Sequence, residues 1–425
     1  MRDFLNYKSK YGLYAWYYIL VILGYILTLV SLSIRPGVIA TLLLLLIYLQ
    51  SAVTLVAGNG ISVGDEKLKE KLTLLNSLDI LASLYFIYNL LSGLWCVRFG
   101  MPVSVWLGEF STGILPMIFY FVGRTIAESE IDSFYRKFII AVYIVGAIGV
   151  VLFVTAPQFY LDYLFNLSLI SKADAGTMRV RMLSVIGSIL MGYLSVAAML
   201  ASARIVLESE GKKGKILLFL GLFFAFMSNQ RSAMVVALMV LVYVNYLVFF
   251  IYKLLPKKIF AIEIGALGAG FVLLCIVGFR AIMKVYYRLV SLPGAIGQRS
   301  DQWVGAINNM SNLWLGNGLG ANGHRANGIT LHLVADGGLA KLFVEMGIIG
   351  TAIFVYLMIL SFKYGVKNLR LCAAEVGIIA VTLLQSVGSN ILEYQLATPI
   401  FWFAVGVIAA KAVSLSNEAA KEGGR

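Results

Sequence analysis

The chain repeats one pattern from end to end: apolar stretches close to the ~20 residues an α-helix needs to cross a hydrocarbon layer, joined by mostly short, basic connections. No other feature restricts its fold as much. Of 425 residues, 60% are hydrophobic and only 13% are charged, which is more apolar surface than a soluble core of this length can hide. The spans are expected at 14–34, 38–57, 74–96, 103–123, 138–156, 182–203, 214–228, 232–252, 259–279, 338–362, 371–390 and 396–413. This describes an all-α polytopic membrane protein of about 12 transmembrane helices, with residues 1–425 forming a single transmembrane domain. The basic start, Arg2 to Lys10, leads into an apolar run without a small-residue cleavage site and reads as an uncleaved first helix.

The connections give the orientation. If both termini are cytoplasmic, the cytoplasmic segments hold 22 of the 34 Lys and Arg residues and the external segments hold 12. The short loops then alternate as the positive-inside rule requires. The kind of cation also differs, with lysine making up 16 of the 22 inside and arginine 9 of the 12 outside. Lysine suffices as a topological anchor, whereas the arginine fork suits phosphate oxygens. The external arginines therefore read either as headgroup contacts or as holders of a phosphate-bearing ligand. The net charge of +13 does not imply nucleic acid, because the basic residues are spread through short loops rather than gathered into one footprint. Cys96, Cys275 and Cys372 lie on or beside separate apolar runs, and their spacing suggests neither a disulfide framework nor a metal site.

One connection is long. Residues 280–337 separate the ninth and tenth spans, and a connection of this length is usually functional or disordered. Here Trp303, Ile307, Leu313, Trp314 and Leu315 interleave with polar groups, so short helices at the membrane surface are expected, followed by a run of turns at Gly316, Gly318, Gly320, Gly323 and Gly328. Arg280, Lys284 and Arg288 recur every four residues and would share one helical face beside Tyr286 and Tyr287. That stripe would grip anionic headgroups or clamp a lipid-linked phosphate. Arg231 lies in the tight external turn Ser228–Ser232, where a cation usually faces a cavity or a partner. His332 and Asp336 are four apart just before the tenth span. If helical, they could pair and remove a proton from a sugar hydroxyl; alternatively Asp336 would cap the following helix. Gln385, Ser389 and Glu393, with Asn390 beside them, form a polar stripe rising toward the external face, and Glu109 lies near the same level. These, with Trp303, would line a glycan vestibule or serve helix packing. Phosphate-binding and dinucleotide loops are absent from the sequence, as are metal-ligand clusters. No cofactor or metal is expected.

The external residues resemble the O-antigen polymerase and O-antigen ligase superfamily. Three pieces carry the resemblance, over roughly residues 215–360: Ser228-Asn229-Gln230-Arg231-Ser232 entering a span; the stretch from Arg299 to Gly320; and 338–354, with Glu345, Gly347 and Gly350 as its Glu-x-Gly-x-x-Gly feature. Many relatives have a histidine where this chain has Asp336, and here the nearest is His332. The resemblance implies a GT-C-like glycosyltransferase of the bacterial inner membrane, with a large periplasmic loop. It would move a glycan from undecaprenyl pyrophosphate onto another lipid-linked repeat unit, using neither nucleotide sugar nor metal. Membrane lipids and a chain-length regulator protein would be further partners, and nucleic acid would not. Arg231, Arg280 and Arg299, with Lys284 and Arg288, would hold the pyrophosphate. Asp336, supported or replaced by His332, would act on the acceptor hydroxyl, and Trp303, Glu393 and Asn390 would contact glycan. Ligation of the glycan to lipid A core is the alternative within this chemistry. A polysaccharide or lipid transporter is the alternative outside it, although the ionisable candidates Asp79, Glu263 and Glu375 lie nearer the cytoplasmic ends of their spans.

Overall fold

Long apolar runs with few charges can satisfy their backbone only internally, and helices result. The computed structural model describes residues 12–29, 35–59, 76–155, 158–166, 181–208, 211–254, 283 and 292–423. Its helices are α1 (Tyr17–Thr28, entered through a 3-10 turn at Leu13–Trp16), α2 (Pro36–Asn59), α3 (Ser77–Arg98), α4 (Val103–Thr125), α5 (Glu128–Thr155), α6 (Gln158–Asn166), α7 (Ser188–Glu208), α8 (Gly211–Met227), α9 (Arg231–Tyr246), α10 (Leu292–Asn308), α11 (Gly338–Lys367), α12 (Leu369–Ser386) and α13 (Thr398–Gly423). Among the described residues, seven helices are long and apolar enough to cross a membrane: α3, α4, α5, α7, α9 with its extension to Ile251, α11 and α12. Shorter apolar helices cover Leu13–Thr28, Pro36–Ser51 and Thr398–Ala412. Each expected span coincides with a helix except 259–279, which lies outside the described residues. Helix α5 begins ten residues before its expected span, at Glu128 rather than 138. Its polar first turns fail a hydropathy criterion yet remain helical, because their carboxylates find buried cations.

The faces turned away from the bundle are greasy. Leu94 on α3, Val154 on α5, Ile216 on α8 and Val242 on α9 are each about 70% exposed, a distribution that needs lipid rather than water around it. Inside, α4 and α13 touch backbone to backbone: a Cβ on Gly406 would lie 2.1 Å from Tyr120 O, and one on Gly123 2.4 Å from Phe403 O. Small residues permit this approach, the usual route to tight helix pairing in lipid.

Ionisable groups collect at the two ends of the bundle. At one end, Arg204 on α7 meets Glu128 (2.9 Å) and Asp132 (2.6 Å) of α5 and Glu375 (3.2 Å) of α12. Glu375 also accepts a hydrogen bond from the Tyr135 hydroxyl. At the same end Asn76 and Asp79 form a reciprocal cap on α3, and Asp79 accepts from the Tyr120 hydroxyl (2.6 Å) and pairs with Arg124 (3.2 Å). The placement of Asp79 and Glu375 near this end agrees with the sequence reading; Glu263 lies outside the described residues. The opposite end carries the compact 309–337 segment.

Two helices are interrupted toward that opposite end, and every freed backbone group that can be traced finds a partner. In α4, Pro116 has no N–H to offer Thr112 O, and a π-turn at Phe110–Ile114 redirects Leu115 N to Phe110 O, leaving Ser111 O free. The Thr398 hydroxyl donates to Thr112 O (3.2 Å) and the Gln395 amide to Ser111 O (3.2 Å). In α11, Gly347 adopts φ 61°, ψ −167°, a conformation open essentially to glycine alone. Across this break Val344 O and Glu345 O accept from Asn317 N and Gly318 N (both 2.9 Å), while Ile348 N and Ile349 N donate to Leu313 O (3.0 Å) and Trp314 O (3.2 Å). The Tyr88 hydroxyl takes Met346 O (2.7 Å). The glycine-rich loop thus substitutes for one lost helical turn, as irregular backbone at membrane depth requires.

Candidate functional site

The 309–337 segment is built on side-chain amides. Asn312 Oδ1 accepts from Trp314 N and Leu315 N, which closes the turn that carries Leu313 to the α11 break. Asn317 donates to Asn322 Oδ1 (2.9 Å), and Asn322 in turn donates to His332 O (2.7 Å) and accepts from Val334 N (2.9 Å). From the far side, the buried Asn390 donates to Val334 O (3.1 Å) and Ala335 O (3.3 Å). The backbone just ahead of Asp336 is therefore held from both sides.

Asp336 is the polar focus of the rim. Its carboxylate accepts from Arg299 Nη2 on α10 at 2.8 Å, and its backbone oxygen accepts from Trp303 Nε1, one turn further along that helix, at 2.7 Å. Gly337 follows with φ 124°, and a Cβ there would lie 2.4 Å from Trp303 Nε1. Only glycine lets the chain turn under the indole. The side chains of Arg299 and Asp336 keep 33% and 39% exposure, so both remain open to a ligand.

Below the rim lies a second, buried cluster. Lys341, on the first turn of α11, is 3% exposed. Its ammonium contacts Glu109 Oε1 closely, Glu393 Oε1 at 2.5 Å and, one turn along its own helix, Glu345 Oε1 at 3.5 Å. Arg325 Nε reaches the other oxygen of Glu109 at 3.4 Å. Glu345 Oε1 also accepts from Asn322 N (3.0 Å), tying the cluster to the segment above. Three carboxylates thus face two cations. Burial, with the like charges of Glu109 and Glu345 added and Lys341 opposing, holds the Glu393 carboxyl well above the usual carboxylate range. Burial, with Glu393 and Asp336 adding, pushes the neighbouring Tyr394 phenol up to about 12. The cluster borders a cavity of about 60 Å³ that reaches into the bundle as far as Tyr85, Phe354 and Trp402, room for roughly four waters at ~15 Å³ each.

Arg299, Trp303, Asp336, Asn390 and Glu393, singled out from the sequence, all lie at this end of the bundle. Arg231 opens α9 half-buried. Its neighbour Gln230 donates to Ser188 Oγ at the start of α7, and one turn on, Tyr193 reaches Thr382 and Ala397 O. Arg231 is therefore at the same end, without an ion-pair partner among the described residues. Arg280, Lys284 and Arg288 lie outside the described residues.

Several expectations need correction. The His332–Asp336 spacing does not bring the two side chains together, because 331–337 is not helical; the His332 ring is instead near Gly305 of α10. Asp336 does not cap α11 either, since the cap position is Gly337 and no side chain bonds there. The Gln385–Ser389–Glu393 stripe is not continuous: α12 ends at Ser386, and Glu393 sits on a separate 3-10 turn, Ile391–Glu393. The Asn390 amide N–H₂ and the Trp303 indole N–H are both spent on backbone carbonyls, so both residues also brace the rim. Sequence reasoning missed the centre of the buried cluster. Lys341 is one of the 12 external cations, and its i,i+4 spacing to Glu345 is a readable sign of a pair. Among the described residues, no group of three or more His, Cys, Asp or Glu side chains is disposed to hold a metal.

Compared with known proteins, the sequence matches no family model and no curated protein.

Proposed function

We propose that the chain is a membrane-embedded polysaccharide polymerase of a bacterial inner membrane. It would cross twelve times, keep both termini in the cytoplasm and present the 299–337 segment on the periplasmic side. The observation that carries this reading is the partly exposed Arg299–Asp336 pair, held in place by Trp303 and Asn390 at one end of an apolar bundle. The charge pattern of the loops supports the orientation, because the segments assigned to this side hold 12 of the 34 Lys and Arg residues and those assigned to the other hold 22.

In this mechanism a hydroxyl oxygen of the acceptor repeat unit attacks the anomeric carbon of the donor glycan. A new C–O bond forms, the bond from that carbon to the phosphate oxygen breaks, and undecaprenyl pyrophosphate leaves with the electron pair. The hydroxyl proton passes to Asp336. Negative charge grows on the leaving phosphate, and guanidinium groups placed there lower the barrier. Arg299 and Arg231 take that role, with Arg280, Lys284 and Arg288 as further candidates. Without donor, Arg299 is engaged with Asp336. A donor phosphate competes for the guanidinium and so frees the carboxylate, which couples donor binding to availability of the base. Arg299→Ala and Asp336→Asn should each insert normally and leave single repeat units in place of a polymer ladder. Wild-type chain length in both would refute the assignment. Ligation to lipid A core uses the same groups, and a deletion strain separates the two: loss of a polymerase leaves core plus one unit, loss of a ligase leaves bare core.

A second reading, a transporter, is favoured by one observation. Transporter sites commonly use discontinuous helices, and α11 is interrupted at Gly347. The break lies at the tenth of 30 residues, about 15 Å from the helix start at ~1.5 Å per residue. That is closer to the helix midpoint, ~7 Å further on, than to its end; what favours surface chemistry is the partly exposed Arg299–Asp336 pair. Uptake of glycan or lipid into vesicles carrying the protein would favour transport.

A further inference from the structure

The cavity beneath the rim has features that glycan transfer at Asp336 does not use. One wall carries the Lys341 cluster, in which Glu109, Glu345 and Glu393 outnumber Lys341 and Arg325 by one charge. A charge buried without compensation is costly in a low-dielectric interior. Two further lining residues, Asn89 at 1% exposure and Asn390 at 3%, each leave the amide oxygen without a hydrogen-bond partner. Buried acceptors are normally satisfied, and both of these amides spend their N–H groups on backbone carbonyls. The remaining wall is aromatic. Tyr85 lies between Phe354 and Trp402, with ring centroids 5.4 and 5.9 Å away, and Trp402 Nε1 is a buried donor with no acceptor.

From these groups we infer that the cavity is a binding site for a small hydroxyl-bearing organic ammonium ion, of the amino alcohol class. The surplus carboxylate and the two orphaned amide oxygens take the ammonium N–H groups. The aromatic faces add cation–π attraction, and a ligand hydroxyl accepts from Trp402 Nε1. The volume, about 60 Å³, suits a molecule of roughly four heavy atoms at ~15 Å³ each. Glu393, whose side chain keeps 18% exposure, stands at the mouth.

Without ligand, burial and the like charges of Glu109 and Glu345 favour a proton on Glu393. The groups facing it are Lys341 and Glu345 from α11, Glu109 from α4 with Arg325 behind it, and Tyr394 and Asp336 at the rim. An arriving ammonium displaces that proton, so binding tightens as pH rises, as long as the ligand amine stays charged.

The test is calorimetric titration of the full-length protein in detergent micelles with ethanolamine, ethylammonium and ethylene glycol. Ethanolamine should bind saturably, ethylammonium more weakly and ethylene glycol at least about tenfold more weakly, the scale of one charge-assisted hydrogen bond. Glu393→Gln should weaken ethanolamine by a similar factor and flatten the pH dependence. Asn89→Leu on α3 provides a second variant if Glu393→Gln does not fold. Equal binding of ethylene glycol and ethanolamine, binding indifferent to the variants that fold, or no binding of ethanolamine would overturn the inference. The assay involves no glycan transfer, so its failure leaves the Arg299–Asp336 reading standing, and loss of that reading leaves this one.

Discussion

Replacing Gly347 with alanine tests whether the α11 break is required. A residue with a Cβ held at φ 61°, ψ −167° stores about 1–3 kcal/mol of strain. The added carbon would also lie 2.4 Å from Trp314 O and 2.5 Å from Gly316 N, contacts that atoms do not tolerate, so something must move. Alanine is the strongest helix former, and the available response is for α11 to straighten and expel the 313–318 loop. Four cross-break backbone hydrogen bonds would be lost, together about 2–6 kcal/mol at ~0.5–1.5 kcal/mol each. The straightened helix recovers part of that, which leaves a net loss of about 2–4 kcal/mol by the same scale. Thermal unfolding of the purified protein in detergent reads the loss. Maleimide labelling of a cysteine introduced at Asn317, buried in the native loop, reads the expulsion. Gly297→Ala is the control, because nothing lies within 4 Å of a Cβ there. If Gly347→Ala melts with the wild type and position 317 stays protected, the break is not held as described.

Other outcomes follow from the same geometry. Arg204→Ala strands the fully buried Glu375 and should cost about 3–5 kcal/mol, the penalty for breaking a buried pair from one side, seen as a lower melting temperature and lower membrane abundance. Arg299→Ala should cost at most about 1 kcal/mol, as expected of a pair this exposed, so any loss of polymer in that variant reports function and not folding. Glu393 has a folded-state value raised above its unfolded one. Its contribution to stability is therefore complete below the ordinary carboxylate range and is lost as pH rises from ~4.3 through the raised value. Melting curves against pH should show that decline in the wild type and a shallower one in Glu393→Gln. Lys341→Met leaves three carboxylates crowded in the interior and should lower the melting temperature more at neutral than at acidic pH.

The helical architecture was legible because membrane spans announce themselves locally: about 20 apolar residues suffice. Even the α4 irregularity had a local cause in Pro116. The α11 break did not, since Gly347 signals only that a left-handed conformation is permitted, and the loop that requires it lies some thirty residues upstream at 313–318. Arg299 and Asp336 were each identifiable as exposed functional types, yet their pairing spans 37 positions and no periodicity predicts it. The His332–Asp336 pairing failed because i,i+4 spacing has meaning only inside a helix, and Asn322 and Asn390 hold that segment extended. The buried cluster was least visible, since Glu109 and Lys341 are 232 positions apart and meet only once α4 and α11 are packed.

Transfer between lipid-linked glycans on the periplasmic side requires the 299–337 segment to face outward. The decisive measurement is labelling by a membrane-impermeant maleimide. Cys96, Cys275 and Cys372 would first be replaced by serine, and single cysteines then introduced by His324→Cys in the exposed rim and Lys367→Cys at the far end of α11. Cells with permeabilised outer membranes should label at position 324 and not at 367, and inverted membrane vesicles should give the reverse. Labelling at 324 only in inverted vesicles would put the Arg299–Asp336 pair in the cytoplasm and contradict the proposed function.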